Sequence, residues 1–175
     1  MSKVPVWFER QFEFSFPVEL LPNVCARLRG TPARLEDVLR GRPHEVLVRK
    51  IGGKWSAQEH AGHLVDLEPL WLARVGDYLE KRNELTAADL TNRKTQEANH
   101  NAHAAEQIVT EFRAERERLV KRVDELDPSL LARSAPHPRL KTPMRLIDHL
   151  YFVAEHDDHH LARIWELASG IPEAD

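Results

Sequence analysis

The chain is 175 residues long and 30% charged, with a net charge of −3 and a sequence pI of about 6.4. That length suits one domain with a real core, and the interspersed acids and bases exclude the basic footprint of a nucleic-acid binder. No apolar run approaches the ~20 residues of a membrane helix, and the lone Cys25 excludes an internal disulfide, which points to a reducing cytoplasm.

The opening stretch MSKVPVWFERQFEFSF is interrupted by Glu9, Arg10 and Glu13, so it lacks the apolar core of a signal peptide. Its Trp7, Phe8, Phe12, Phe14 and Phe16 suggest a short extended arm, roughly residues 1–17, that lays aromatic rings on the rest of the domain. Pro17 and Pro22 punctuate the chain after the arm. A first helical piece is expected over Asn23 to Arg29. Gly30-Thr31-Pro32 then reads as a stop, an N-cap and a first-turn proline, starting a second piece that ends at Gly41.

Gly52 and Gly53 break the chain before the next helix. Ser56 with Glu59 three residues on is a capping-box signature. Leu64, Leu67, Trp71, Val75 and Tyr78 come next at helical spacing, and Pro69 inside the pattern predicts a kink or break. Residues 83–101 are polar and aperiodic and read as a long loop, which in a compact domain is often functional. A further helix is predicted over Ala104 to Leu126, with Ile108, Phe112, Leu119, Val123 and Leu126 inward. After the proline-rich SAPHPRLKTP, Thr142-Pro143 repeats the N-cap pattern. The last helix should then run to about Ser169, with Gly170 and Pro172 closing it. Strand patterns are nearly absent, so the expected fold is all-α, a four-helix bundle.

Ten histidines are many for this length, and three fall with three acids inside Glu155 to His160. On a wheel of 100° per residue, His160 lies within about 40° of Val153, Ile164 and Leu167, so it should face inward. His156 is one turn back on nearly the same face, and two imidazoles at that spacing can share one ion. His159 is rotated toward the outside. His149, two turns before His156, is too far to share the ion and is a candidate supporting residue behind it. A lone H-x-x-x-H is more often hydrogen-bonded structure than a site; a third ligand from elsewhere decides the matter.

EHAGHL offers His60 and His63, and periodicity does not separate them. The segment is not the H-E-x-x-H protease motif, because the glutamate precedes the first histidine. A di-iron bundle needs two Glu-x-x-His motifs on different helices, and only Glu97 to His100, in the predicted loop, has that spacing. His100 and His103 read as solvent-facing residues around a helix start, with approach to a site as the alternative. His44 and His137 are given no role.

KWSAQEHAGHLVDLEPLW, TPMRLIDHLYFVAEHDDHHLARI and RLRGTPARLEDVL, in their order and separation along the chain, resemble the DinB-like family. The resemblance spans roughly Phe12 to Leu167. It implies a metal-binding four-helix bundle, and carried over residue by residue its metal ligands fall on His63, His156 and His160. It also implies a divalent ion (zinc or nickel first, iron or manganese next), a homodimer, and an enzyme acting on small molecules. Some relatives are thiol S-transferases, so the leading expectation is a transferase that holds the thiolate of a low-molecular-weight thiol such as bacillithiol or mycothiol. The alternatives are a hydrolase using metal-bound hydroxide, and a non-catalytic, stress-associated dimeric bundle. Asp66, one turn past His63, could hold a ligand's tautomer; Asp157 reads as a surface acid. Arg74, Arg113 and Arg163 are candidates to bind an anionic cosubstrate, with a solvated or paired surface role as the alternative.

Overall fold

The computed structural model describes residues 3–169. The expected closure at Gly170 and Pro172 lies outside the described residues. Among the described residues, six α-helices run in chain order: α1 (Leu21–Leu39), α2 (His44–Leu47), α3 (Ala57–Leu79), α4 (Arg93–Glu97), α5 (Ala105–Asp124) and α6 (Leu146–Ala168). The four long ones, α1, α3, α5 and α6, form the bundle. α1 packs on α5 and α6, and α3 packs on the same two helices. The successive long helices α1 and α3 therefore face each other across the bundle diagonal rather than side by side.

α3 begins as its sequence predicts. The Ser56 hydroxyl accepts from the Glu59 amide at 3.1 Å, and the Glu59 carboxylate accepts from the Ser56 amide at 2.9 Å. Pro69 sits inside α3 without interrupting it. Other expectations need correction. Gly30-Thr31-Pro32 does not divide the first helix, because α1 runs straight through it. Pro32 lacks the amide that would bond the Leu28 carbonyl; Arg116 Nη1 donates to that carbonyl instead, at 3.2 Å. Thr31 is no cap either: its hydroxyl is buried, 2.7 Å from the Asp157 carboxylate.

Thr142-Pro143 likewise does not start the last helix. Pro143–Arg145 is a strand, β2, paired antiparallel with β1 (Ser134–Pro136), and α6 begins only at Leu146. The two prolines, Pro136 and Pro143, face each other at the end of this short ladder, where missing amides cost least. Asp148, in the first turn of α6, accepts from the Arg145 amide at 2.8 Å.

A charged node sits in the core. Arg116 of α5 meets Glu68 of α3 at 2.6 Å and Asp157 of α6 at 2.5 Å, all but fully buried. With Thr31 and the Leu28 carbonyl from α1, it touches every helix of the bundle. Asp157 is therefore not the surface acid its neighbours in sequence suggest. Burial pushes Glu68 up to about 7 despite the guanidinium beside it.

The aromatic arm lies against α6. The Trp7 ring packs 5.2 Å from Phe152 and 5.1 Å from His156, Phe12 packs 5.1 Å from Phe152, and Phe16 packs 4.8 Å from Tyr151. Arg10 pairs with Glu155 at 2.5 Å. No helix among the described residues is long and apolar enough to cross a membrane.

Candidate metal centre

His63 on α3 and His156 and His160 on α6 are brought together across the α3–α6 contact. All three are buried, and one nitrogen from each lies within 4.8 Å of the others. The Nε2 atoms of His156 and His160 are 3.1 Å apart. Two nitrogens ~2.0–2.1 Å from one tetrahedral ion would lie roughly 3.3 Å apart, so this spacing fits shared ligation. Burial, followed by the neighbouring histidines, holds His156 and His160 well below the usual imidazole range. Burial brings His63 down to about 4 against a small opposing pull from Asp66. Three neutral imidazoles are the donor set a divalent ion takes.

Two supports fix which nitrogen His63 and His160 offer. The Asp66 carboxylate accepts from Thr95 and from His100 Nε2, the latter at 2.8 Å. These hydrogen bonds outweigh burial and hold Asp66 low. With its hydrogen committed to Asp66, the Thr95 hydroxyl accepts from His63 Nδ1 at 3.0 Å. His63 is thus left with Nε2 free for the site. His160 Nδ1 lies 2.8 Å from His60 Nδ1, which leaves His160 Nε2 facing His156. The His60/His63 ambiguity resolves into a division of labour: His63 joins the cluster, and His60 steadies His160 from behind.

Asp66 stands behind His63 but acts through Thr95, a residue that no sequence signal singles out. His100 is buried rather than solvent-facing and joins the cluster only through Asp66; His103 is exposed. His149 is fully buried and packs on Trp71 and Tyr78, ring centres 5.8 and 6.1 Å away, rather than on a clustered histidine. His159 does not face away from the site: it lines the cavity beside it, partly covered by Trp7. Arg113 pairs with Glu36 at the surface, and Arg163 pairs with Glu166 at a part-buried position. One signal for His100 was present. Gly62 lies inside α3, and a Cβ there would stand 2.1 Å from His100 Cγ, so only glycine lets this imidazole sit against the helix.

The cluster lies at one end of a cavity of about 410 Å³. Trp7, Leu67, Trp71 and Phe152 form apolar walls, and Trp55 stands 4.8 Å from the His63 ring.

Residues 27–164 match the sequence profile of the DinB superfamily. The chain belongs to the DinB superfamily. All three clustered histidines fall inside the matched span, whereas the aromatic arm precedes it. Among solved structures, this DinB protein resembles YfiT from Bacillus subtilis, described as a probable metal-dependent hydrolase with an unusual four-helix bundle topology. The TM-score is 0.79 at 20% identity, over 93% of this chain and 94% of that one. At that identity the likeness is one of fold. No curated protein sequence matches the chain.

Proposed function

We propose that this DinB protein is a metal-dependent hydrolase of small molecules, with His63, His156 and His160 as the ligands of a divalent ion, zinc or nickel first. The reading rests on one observation: three buried, neutral imidazoles converge at the end of an apolar cavity and do not close it. A divalent ion held there supplies Lewis acidity and a nucleophile effective at neutral pH. The chain itself orients the ligands, through Thr95 on His63 and His60 on His160. Trp7, Trp71 and Phe152 exclude bulk water from the bound molecule. His159 faces the same cavity as a neutral imidazole, brought to about 4 mainly by burial, and can accept a proton there.

The fold likeness to a protein described as a probable metal-dependent hydrolase supports this reading. A thiol S-transferase asks more of the same space, because a sugar-thiol cosubstrate and an electrophile must be held together. About 410 Å³ is near the lower end of the ~300–1,000 Å³ usual for small-molecule sites. Metal analysis of the purified protein and of His63→Ala, His156→Ala and His160→Ala, together with assays of activated esters and amides with and without added thiol, tests the proposal. Near-stoichiometric metal lost in each variant, and turnover without thiol, are expected. Metal retained in all three variants would remove the site, and strict dependence on thiol would restore the transferase.

A further inference from the structure

Arg74, His137 and Arg139 bring hydrogen-bond donors to the lining of the same cavity. Arg74 is 2% exposed, its Nε donates to the Thr86 carbonyl at 2.9 Å, and its guanidinium carbon lies 5.5 Å from the centre of the Trp71 ring. No carboxylate pairs with Arg74 or Arg139 among the described residues. Arg139 packs over Phe8 and Phe152, and its Nη2 is buried with no hydrogen-bond partner. Burying a guanidinium with no carboxylate in direct contact costs stability, and burial brings Arg74 down to about 10 against the opposing pull of the nearby Asp77, whose oxygens accept from Thr86.

His137 sharpens the point. Its Nδ1 receives the backbone amides of Arg139 and Leu140, each at 3.2 Å, and its Nε2 faces Arg74 Nη1 at 3.1 Å. Every partner of this ring is a donor. A neutral imidazole has one acceptor nitrogen and one N–H, and burial followed by the charges of Arg74, Arg139 and Lys141 keeps His137 neutral, at about 3. One N–H must therefore point at another. With two amides on Nδ1, the hydrogen falls on Nε2, against Arg74. An oxyanion beside this pair would accept from His137 Nε2 and from Arg74, with the unpartnered Arg139 Nη2 in the lining of the same cavity as a further donor. The acid in the cavity lining, Asp89, is exposed, and its oxygens are taken by Thr91 and the Arg93 amide.

We propose that Arg74, His137 and Arg139 form an oxyanion subsite, and that the molecules this cavity accepts carry a carboxylate or like oxyanion on an apolar body. The Trp71 ring measures the reach. It stands 5.5 Å from the His156 ring on one side and 5.5 Å from the Arg74 guanidinium carbon on the other, so the two ends are at most about 11 Å apart. A small acid anchored at the arginines would lay its far end against the histidine cluster. Phe8 and Leu90, 57% and 58% exposed, give the mouth an apolar rim. The proposal deepens the hydrolase reading by naming its substrate class, and it rests on that reading only for the chemistry at the far end.

Calorimetric titration of the purified protein with 4-phenylbutanoate, phenylphosphonate and the uncharged 4-phenylbutanamide tests it. Both acids should bind, the ratio of their affinities showing which oxyanion is preferred, and the amide should bind at least tenfold more weakly than the better acid. Arg139→Met, at a half-buried position, should keep the helical spectrum and metal content, weaken the better acid at least tenfold and leave the amide unchanged. Arg139→Lys should recover part of the loss. The same titration on His63→Ala separates the two proposals: acid binding retained there upholds the subsite even where no metal is held. Equal affinity for acid and amide, or no effect of Arg139→Met, overturns it. So does acid binding that disappears with His63→Ala but survives Arg139→Met, because the acid would then sit on the metal.

Discussion

Replacing Arg116 by methionine leaves Glu68 and Asp157 buried without their cation, and leaves the Leu28 carbonyl without a donor, since Pro32 has no amide to offer. Breaking a buried ion pair from one side costs about 3–5 kcal/mol. Within a total stability of about 5–15 kcal/mol, that is large but measurable. The sharper test is a double-mutant cycle with Pro32→Ala. In the parent, the Leu28 carbonyl already accepts from Arg116 Nη1, so an amide at position 32 brings little to it. In Arg116→Met the same amide rescues a buried orphan acceptor, worth about 1–3 kcal/mol. Changes in helix propensity and in the unfolded chain occur in both backgrounds and cancel. Urea unfolding followed by circular dichroism gives the four stabilities. Pro32→Ala should be more stabilising in Arg116→Met by about 1–3 kcal/mol; equal effects within about 0.5 kcal/mol would refute the claim that Arg116 substitutes for the missing proline hydrogen bond.

Three further outcomes are expected. Chelator-treated protein should lose stability on mild acidification. His60, His63, His149, His156 and His160 are all lowered on folding, so between pH 6.5 and their folded values the unfolded chain binds more protons and stability falls as pH falls. His137 and His159, also lowered, act in the same direction, opposed by Glu68, whose raised value gains stability over part of that range; a melting temperature flat from pH 7 to 5.5 would contradict this. Gly62→Ala should weaken metal binding about 10–100-fold and lower the melting temperature by displacing His100 from Asp66; helix propensity alone predicts stabilisation by about 1 kcal/mol, so a stabilised variant with intact metal affinity would deny the close approach. Thr95→Val should weaken metal binding about tenfold while leaving the fold intact, because His63 loses the acceptor that sets its tautomer; unchanged affinity by competition with a chromophoric chelator would dismiss that role.

The bundle could be anticipated from local signals because its long helices obey them: the Ser56–Glu59 box, the periodic apolar residues, the inward phase of His156 and His160. Local signals failed where a distant residue decided the outcome. Gly30-Thr31-Pro32 is a stop by every neighbourhood rule, and it is overruled by Arg116, more than eighty residues away. Thr142-Pro143 reads as a cap until Ala135 and Met144 are seen to pair across a hairpin. Thr95 lies in a polar stretch without period, so its hydrogen bond to His63 left no trace in the pattern. Asp157 looks solvated among its polar neighbours because helical phase, not sequence adjacency, carries it to Arg116. His137 and Arg139 meet Arg74 only through the hairpin connection, and nothing in their own segment announces it.

The arm contributes Trp7 and Phe8 to the cavity and none of its helical-turn residues to the buried core. It also precedes the span that matches the superfamily. The histidine cluster sits on the bundle, while the wall beside it is shared between the arm, through Trp7 and Phe8, and the bundle, through Leu67, Trp71 and Phe152. Substitutions at the exposed Phe8 can reshape the mouth of the cavity while the bundle stays as it is, whereas Trp7, packed on Phe152 and His156, ties the arm to the histidines themselves.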